Sequence, residues 1–303
     1  MNKISFVKLG AVLGLALYFS SAWSAPLRVA ATLPDLAALT QEVGGEAVEV
    51  VRLTTPAQDP HRVIARPSLI AKVAHADVVV AVGMELESGW LPVLLRQARN
   101  DRLTPQGGLI DASKAPGLTI LGKPAGSVTR DEGDIHPDGN PHYTLDPRAM
   151  LPLARHIVAQ LKEQPGADTA TLDAGLARFE TRWGAFLAGW LKRAALLQGA
   201  RLVLDHESWP YLLDAVGAIE AGVLEPKPGI PPTTRHLAEL GTMLSRQPAR
   251  AIVIADWRSP DAAQWLSDHT GLPVVKLPTG SGEEGLEAHF DAILNRLLQA
   301  AAR

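Results

Sequence analysis

The chain has 303 residues, enough for two domains of ordinary size. Its formal net charge is −3 with no basic stripe, which argues against nucleic acid or an anionic membrane surface as a partner. It contains no cysteine, so it has neither a disulfide framework nor a thiolate metal site.

At the N-terminus, Lys3 and Lys8 flank the start of an apolar run over residues 9–19, too short for a comfortable membrane span. Small residues follow: Ser20, Ser21, Ala22, Ser24 and Ala25. This pattern predicts a cleaved secretory signal peptide over residues 1–25, with the mature start near residues 23–26. Without a cysteine to carry a lipid, no lipid anchor is expected, and the location implied is periplasmic.

Residues 26–165 are expected to form an α/β lobe. Residues 28–32 and 48–53 read as strands, and residues 77–82 (DVVVAV) as a strand buried on both faces. Helical patterns at 35–43, 68–74 and 87–98 alternate with them, as in a parallel sheet. Residues 104–146 are rich in Gly, Pro and Asp, with a short strand expected at 119–121 and a mostly acidic loop at 131–138. Residues 117–123 match a phosphate-binding loop until Pro124 replaces the hydroxyl residue that would hold Mg²⁺, so no nucleotide site is expected. Asp146-Pro147 should cap a helix reaching about residue 163.

Residues 166–199 form the most regular stretch. Leu172, Leu176, Phe179, Trp183, Phe186, Trp190, Ala194 and Leu197 recur every three or four residues, one apolar stripe on a helix on the order of 45 Å long. A second α/β lobe follows over residues 200–303. Strands are expected at 201–204, 218–223, 251–255 and 274–277, and helices at 210–216, 234–245, 261–269 and 284–301. The predicted fold is two α/β lobes with parallel-type sheets, joined by a single long helix and enclosing a cleft for a ligand.

Three histidines stand at strand ends or in rigid turns: His61 in Asp59-Pro60-His61, His142 in Gly139-Asn140-Pro141-His142, and His206 in Asp205-His206-Glu207. Loops at the carboxyl ends of parallel strands face the ligand crevice. Imidazole is a common zinc ligand, and three converging imidazoles would make most of a zinc site. Of the remaining histidines, His75, His156, His236 and His269 are expected to be structural or exposed, whereas His136 lies in the acidic loop and is either a metal-capturing residue or an exposed histidine. Trp209 and Tyr211 are expected to anchor the helix after His206 or to line the site.

In these segments the chain resembles the metal-binding solute-binding proteins of bacterial ABC importers, the zinc/manganese group with a rigid linker helix. The resemblance is carried by DPH with Arg66-Pro67-Ser68, by GNPHYTLDP, by DHESWPYL, and by Glu225-Pro226-Lys227-Pro228-Gly229-Ile230-Pro231-Pro232, in matching order. It implies that His61, His142 and His206 ligate the metal and that the protein hands Zn²⁺ to an inner-membrane ABC permease. A monomer and no enzymatic activity are expected. A related branch has Glu at the third position and favours manganese; His206 points instead to zinc, since a nitrogen-rich site suits Zn²⁺ and Mn²⁺ prefers oxygen.

The chain departs from the group's pattern at the fourth ligand. Many members carry an Asp after the last strand, where this chain has Leu277-Pro278-Thr279. Asp256, at the end of the strand over residues 251–255, is the candidate carboxylate by position, ahead of His136, Glu207, Asp59 and His289. Two alternatives are a manganese- or iron-binding importer component of the same family and, in a different class, a three-histidine zinc hydrolase with Glu207 or Asp256 as base. The absence of HExxH argues against the hydrolase.

Overall fold

Parallel pairing begins where β1 (Leu27–Ala31) lies between β2 (Val48–Arg52) and β3 (Val78–Ala81), with Ala31 opposite both Arg52 and Val80. β4 (Leu109–Asp111) completes the sheet in the order β2-β1-β3-β4. The computed structural model describes residues 25–123 and 136–302. The signal-peptide assignment, bar its last residue, lies outside the described residues, as do Asp131, Glu132 and Asp134 of the acidic loop and Pro124.

Helices α1 (Pro34–Gly44), α2 (Pro67–His75) and α3 (Leu91–Ala98) connect these strands or follow them. Each starts with proline in its first turn, where the missing N–H costs nothing. Helix α3 begins at Leu91 rather than at residue 87; the chain turns ahead of it at Met84 and Glu85, with φ of 52° and 64°. No strand forms at 119–121; the edge strand is β4 instead, paired to β3 through Val79 and Leu109. Asp146 does cap, accepting from the Arg148 N–H, but it opens a short 3-10 turn (Pro147–Ala149) before α4 (Met150–Lys162).

The long helix α5 (Thr169–Ala194) runs on into a 3-10 turn at Ala195–Leu197. Asp168 caps it, accepting from the Thr171 N–H at 3.1 Å. Beyond it, β5 (Arg201–Leu204), α6 (Pro210–Val216), β6 (Ile219–Val223), α7 (Thr234–Arg246), β7 (Ala251–Ala255), α8 (Asp261–Thr270), β8 (Val274–Leu277) and α9 (Leu286–Ala301) build the second sheet, order β6-β5-β7-β8. Both sheets are wholly parallel and share one topology. Among the described residues, no helix is long and apolar enough to cross a membrane.

One continuous core joins the lobes. It takes Val29 and Val80 from the first sheet, Leu204 and Val253 from the second, and the buried stripe of α5 between them. Smaller cores sit under α2–α3 and under α7–α8, on the outer faces of the two sheets. Trp183 and Trp190 are fully buried, and their indole N–H groups donate to Pro147 O (2.9 Å) and Phe290 O (3.0 Å). The helix is thereby fixed to α4's leading turn at one point and to α9 at another. Gly175 lets α5 approach α1, since a Cβ there would stand 2.0 Å from the Val43 carbonyl oxygen.

Candidate metal centre

The carboxyl ends of both sheets open on one cleft, and His61, His142 and His206 reach it from separate segments. His61 sits in the loop after β2, whose turn is held by Trp90 donating to Pro60 O at 2.8 Å. Asp59 Oδ1 accepts from the His61 N–H at 2.9 Å and lies 3.1 Å from its Nδ1. His142 repeats the arrangement: Asn140 Oδ1 accepts from the His142 N–H at 2.9 Å and lies 3.0 Å from its Nδ1. Asx-Pro-His is thus a local device in which the side chain two residues before the histidine fixes both backbone and ring.

The His142 turn is tied to both lobes. Tyr143 OH donates to Val82 O (2.6 Å), Tyr211 OH to Asn140 O (2.6 Å), and Asn140 Nδ2 to Glu207 O (2.6 Å). Tyr211 and Trp209 are buried and serve as anchors for this corner.

His206, 2% exposed, follows β5 directly. Its Nδ1 lies 2.7 Å from Glu225 Oε2, which also accepts from the Gly229 N–H at 2.8 Å. Glu225 Oε1 is paired with Arg258, whose Nε is 3.4 Å from Asp205 Oδ2. Asp205 in turn accepts from the Ala255 N–H and the Trp209 indole, both at 2.8 Å.

All three rings therefore have Nδ1 occupied by an oxygen acceptor, which selects the tautomer with Nε2 facing the cleft. One ligand nitrogen from each of His61, His142 and His206 lies within 4.8 Å of the others, and among the described residues no second such group of His, Cys, Asp or Glu occurs. Ring centroids are 5.2–5.7 Å apart. Enclosure of the His142 imidazole, followed by the charges of His61, His206, His136 and Arg258, holds it well below 6.5, so it is neutral and ready to coordinate. Burial pushes Asp59 and Glu225 up, but the hydrogen bonds and charges of His61 and His206 respectively, with Arg258, hold both below the usual carboxylate range. The surrounding carboxylates outnumber the guanidinium and so suit a dication.

Asp256, the expected fourth carboxylate, does not join the group. Its N–H donates to Leu277 O at 2.9 Å, and its side chain lies within range of Arg296 and His289 instead. The next two residues, Trp257 and Arg258, line the cavity. Side chains alternate in direction along an extended strand, so a position at the strand end does not guarantee that the side chain faces the cleft. On the side of Pro278, Thr279 and Gly280 form the wall, and Thr279 Oγ1 accepts from the Trp257 indole at 2.9 Å. His289 is fully buried within α9, and Glu207 meets the site through its carbonyl oxygen. His156 and His236 bond to backbone carbonyls, Asp111 O and Val223 O, as structural histidines do. His136 reaches the rim: its Nε2 is 3.4 Å from Nε2 of His61. Glu225 and Arg258 carry the His206 side of the centre, yet sequence reasoning assigned neither to it. The paired Asx-Pro-His motif was the signal that could have identified Asp59 and Asn140 as ring-orienting residues.

Two lobes with matching parallel sheets, one long connecting helix and imidazoles gathered between them define a two-lobe α/β protein with a candidate metal site in its cleft. The family model described as zinc-uptake complex component A periplasmic (ZnuA) matches residues 29–301, and the chain belongs to that family. The chain is similar to the zinc-binding lipoprotein AdcA of Streptococcus pneumoniae, at 22% identity over 81% of this chain and 48% of AdcA. It thus spans about half the length of the curated AdcA relatives it matches. It is also similar to the high-affinity zinc uptake system protein ZnuA of Yersinia pestis, at 24% identity over 74% of each. Among solved structures, a crystal structure of ZnuA superposes with a TM-score of 0.76 at 20% identity, covering 91% of this chain and 99% of that one. FpvC of Pseudomonas aeruginosa in complex with Ni²⁺ gives a TM-score of 0.71 at 20% identity, covering 92% and 99%. The family is one of transport components rather than enzymes, and the hydrolase alternative finds no support in it.

Proposed function

We propose that the protein is a high-affinity periplasmic Zn²⁺-binding protein that delivers the ion to an inner-membrane ABC permease, with His61, His142 and His206 as its ligands. The observation that carries this reading is the convergence of three imidazoles, each with Nδ1 held by an oxygen acceptor. Zinc is favoured over manganese because the converging donors are all nitrogen. The cavity they line has a volume of about 30 Å³, which suits an ion with a water rather than an organic solute or a chelate. In this reading residues 26–165 and 200–303 are the two lobes, residues 166–199 the strut between them, and the working form a monomer exported by a signal peptide over residues 1–25.

Competition between the two metals tests the choice. Protein loaded with Mn²⁺ and titrated with Zn²⁺ should exchange completely at one equivalent, and excess Mn²⁺ should fail to reverse it. Comparable affinity for the two ions would overturn the assignment to zinc and favour the manganese alternative.

A further inference from the structure

We propose that Asp35 is a positioning residue for metal capture: its carboxylate holds the segment after β8 against the first lobe, where that segment walls the metal cavity. The inference rests on the reading of His61, His142 and His206 as the metal site and concerns what keeps the cleft closed over it.

Asp35 stands in the first turn of α1 and is 1% exposed. Its Oδ1 accepts from the Ser281 N–H at 2.5 Å, a bond from the first lobe to the loop between β8 and α9 of the second. Hydrogen bonds to an ionised acceptor of this kind are among the strong ones. Ser281 follows Thr279 and Gly280, which line the metal cavity together with Leu33 and Pro34, the residues just before Asp35. Contact here is close. A Cβ on Gly280 would stand 3.2 Å from Pro34 Cγ and 3.3 Å from Pro56 Cα, the latter in the loop that carries His61. The Thr144 hydroxyl, in the 3-10 turn His142–Leu145, favours the charged form of the same carboxylate. Asp35 thus joins the cavity wall of the second lobe to the turn that bears His142.

The joint is poised to part rather than locked. Asp35 Oδ2, Ser281 Oγ and both ring nitrogens of His289 are buried without a hydrogen-bond partner among the described residues. Burial pushes the Asp35 carboxyl up, against the pull of His289, the Ser281 N–H and the Ser281 and Thr144 hydroxyls. Polar groups sealed without partners cost free energy that contact with water returns. The exposed pair of Arg52 and Glu283 crosses the same seam at the surface, where solvent leaves it weak. This seam therefore opens more readily than the apolar core around α5, and a metal coordinated from both sides of the cleft shifts it towards the closed arrangement.

Zinc affinity of the full chain, read by competition with a chelator, tests the assignment. Asp35→Ala should bind zinc at least about fivefold more weakly, the lower end of couplings between linked sites, and still take up one ion. Asp35→Asn, which keeps the Oδ1 acceptor, should recover most of the loss. Leu240→Ala, a truncation in the small core under α7–α8, should lose stability and keep the wild-type affinity. Amide hydrogen exchange of the wild type adds a reading that needs no variant: zinc should raise the protection of the Ser281 N–H more than that of the α7 amides. Unchanged affinity in Asp35→Ala, an equal loss in Leu240→Ala, no recovery in Asp35→Asn, or Ser281 protection that rises no more than that of α7 would each overturn the role of Asp35 and leave the three-histidine site standing. Failure of the underlying site reads differently: a wild type that binds no zinc would overturn both.

Discussion

Glu225 Oε2 lies 2.7 Å from Nδ1 of His206, and both residues are buried where the second lobe meets the cleft. The carboxylate fixes the ring and raises its basicity as a ligand, and Arg258 and the Gly229 N–H hold the carboxylate in turn. Glu225→Ala should lower zinc affinity by about 10–100-fold with no change in stoichiometry. Glu225→Gln, which keeps an acceptor but loses the charge, should fall between it and the wild type. A chelator competition titration ranks the three; equal affinities would remove Glu225 from the metal centre.

The long helix should limit how far the lobes part. Its stripe lies in one core with both sheets, and Trp183 and Trp190 bond to separate elements on either side. Release should therefore proceed by modest tilting and loop movement. Small-angle scattering on metal-free and zinc-loaded protein should give nearly equal radii of gyration, and a large closure on loading would contradict this rigid-strut picture.

Stability of the strut is measurable at single positions. Trp183→Ala removes a fully buried indole and should cost about 3–5 kcal/mol. Gly175→Ala would force its methyl group against the Val43 carbonyl, with a cost of about 1–3 kcal/mol. Urea unfolding of the metal-free protein reads both, and a neutral Gly175→Ala would mean that α5 and α1 can slide apart freely.

Acid acts on His142 with a definite sign. Its native imidazole is held well below 6.5 by enclosure and by its neighbours, whereas the unfolded chain protonates near about 6.5. Between those two values the unfolded state binds the extra proton, so stability of the metal-free protein rises with pH across that window and levels off above about 6.5. Replacement by His142→Gln should flatten this slope in the acid range below about pH 6.5, as measured by denaturant unfolding. An unchanged slope would assign the dependence to other groups. Zinc affinity also weakens in acid, because the ligands must be neutral, but His142's own share of that loss sets in only well below 6.5.

Much of the fold was legible because its signals are local. Continuous apolar runs marked β3, β5 and β7, and the three-and-four spacing from Leu172 to Leu197 marked α5 and its buried face. β4 was missed: it has only three residues at a sheet edge, and its pairing with β3 rather than its own pattern makes it a strand. The same division holds at the site. The histidines were readable from strand ends and proline turns, and the Asx-Pro-His pairing carries its orienting residue within three positions. Glu225 reaches His206 through the parallel pairing of β5 with β6, where Leu204 meets Val223, and Arg258 arrives from beyond β7. No local pattern announces contacts of that kind. Asp256 shows the converse: it stands at the end of β7, as its sequence position indicates, yet its side chain lies near Arg296 and His289 rather than with the imidazoles.

The most direct test of the central claim is metal content per chain in protein purified without an affinity tag, for the wild type and for His61→Ala, His142→Ala and His206→Ala. The expected result is one zinc per wild-type chain and sub-stoichiometric, easily stripped metal in each variant. A wild type that carries no metal and takes up none at micromolar zinc would contradict the claim, as would three variants that retain a full equivalent.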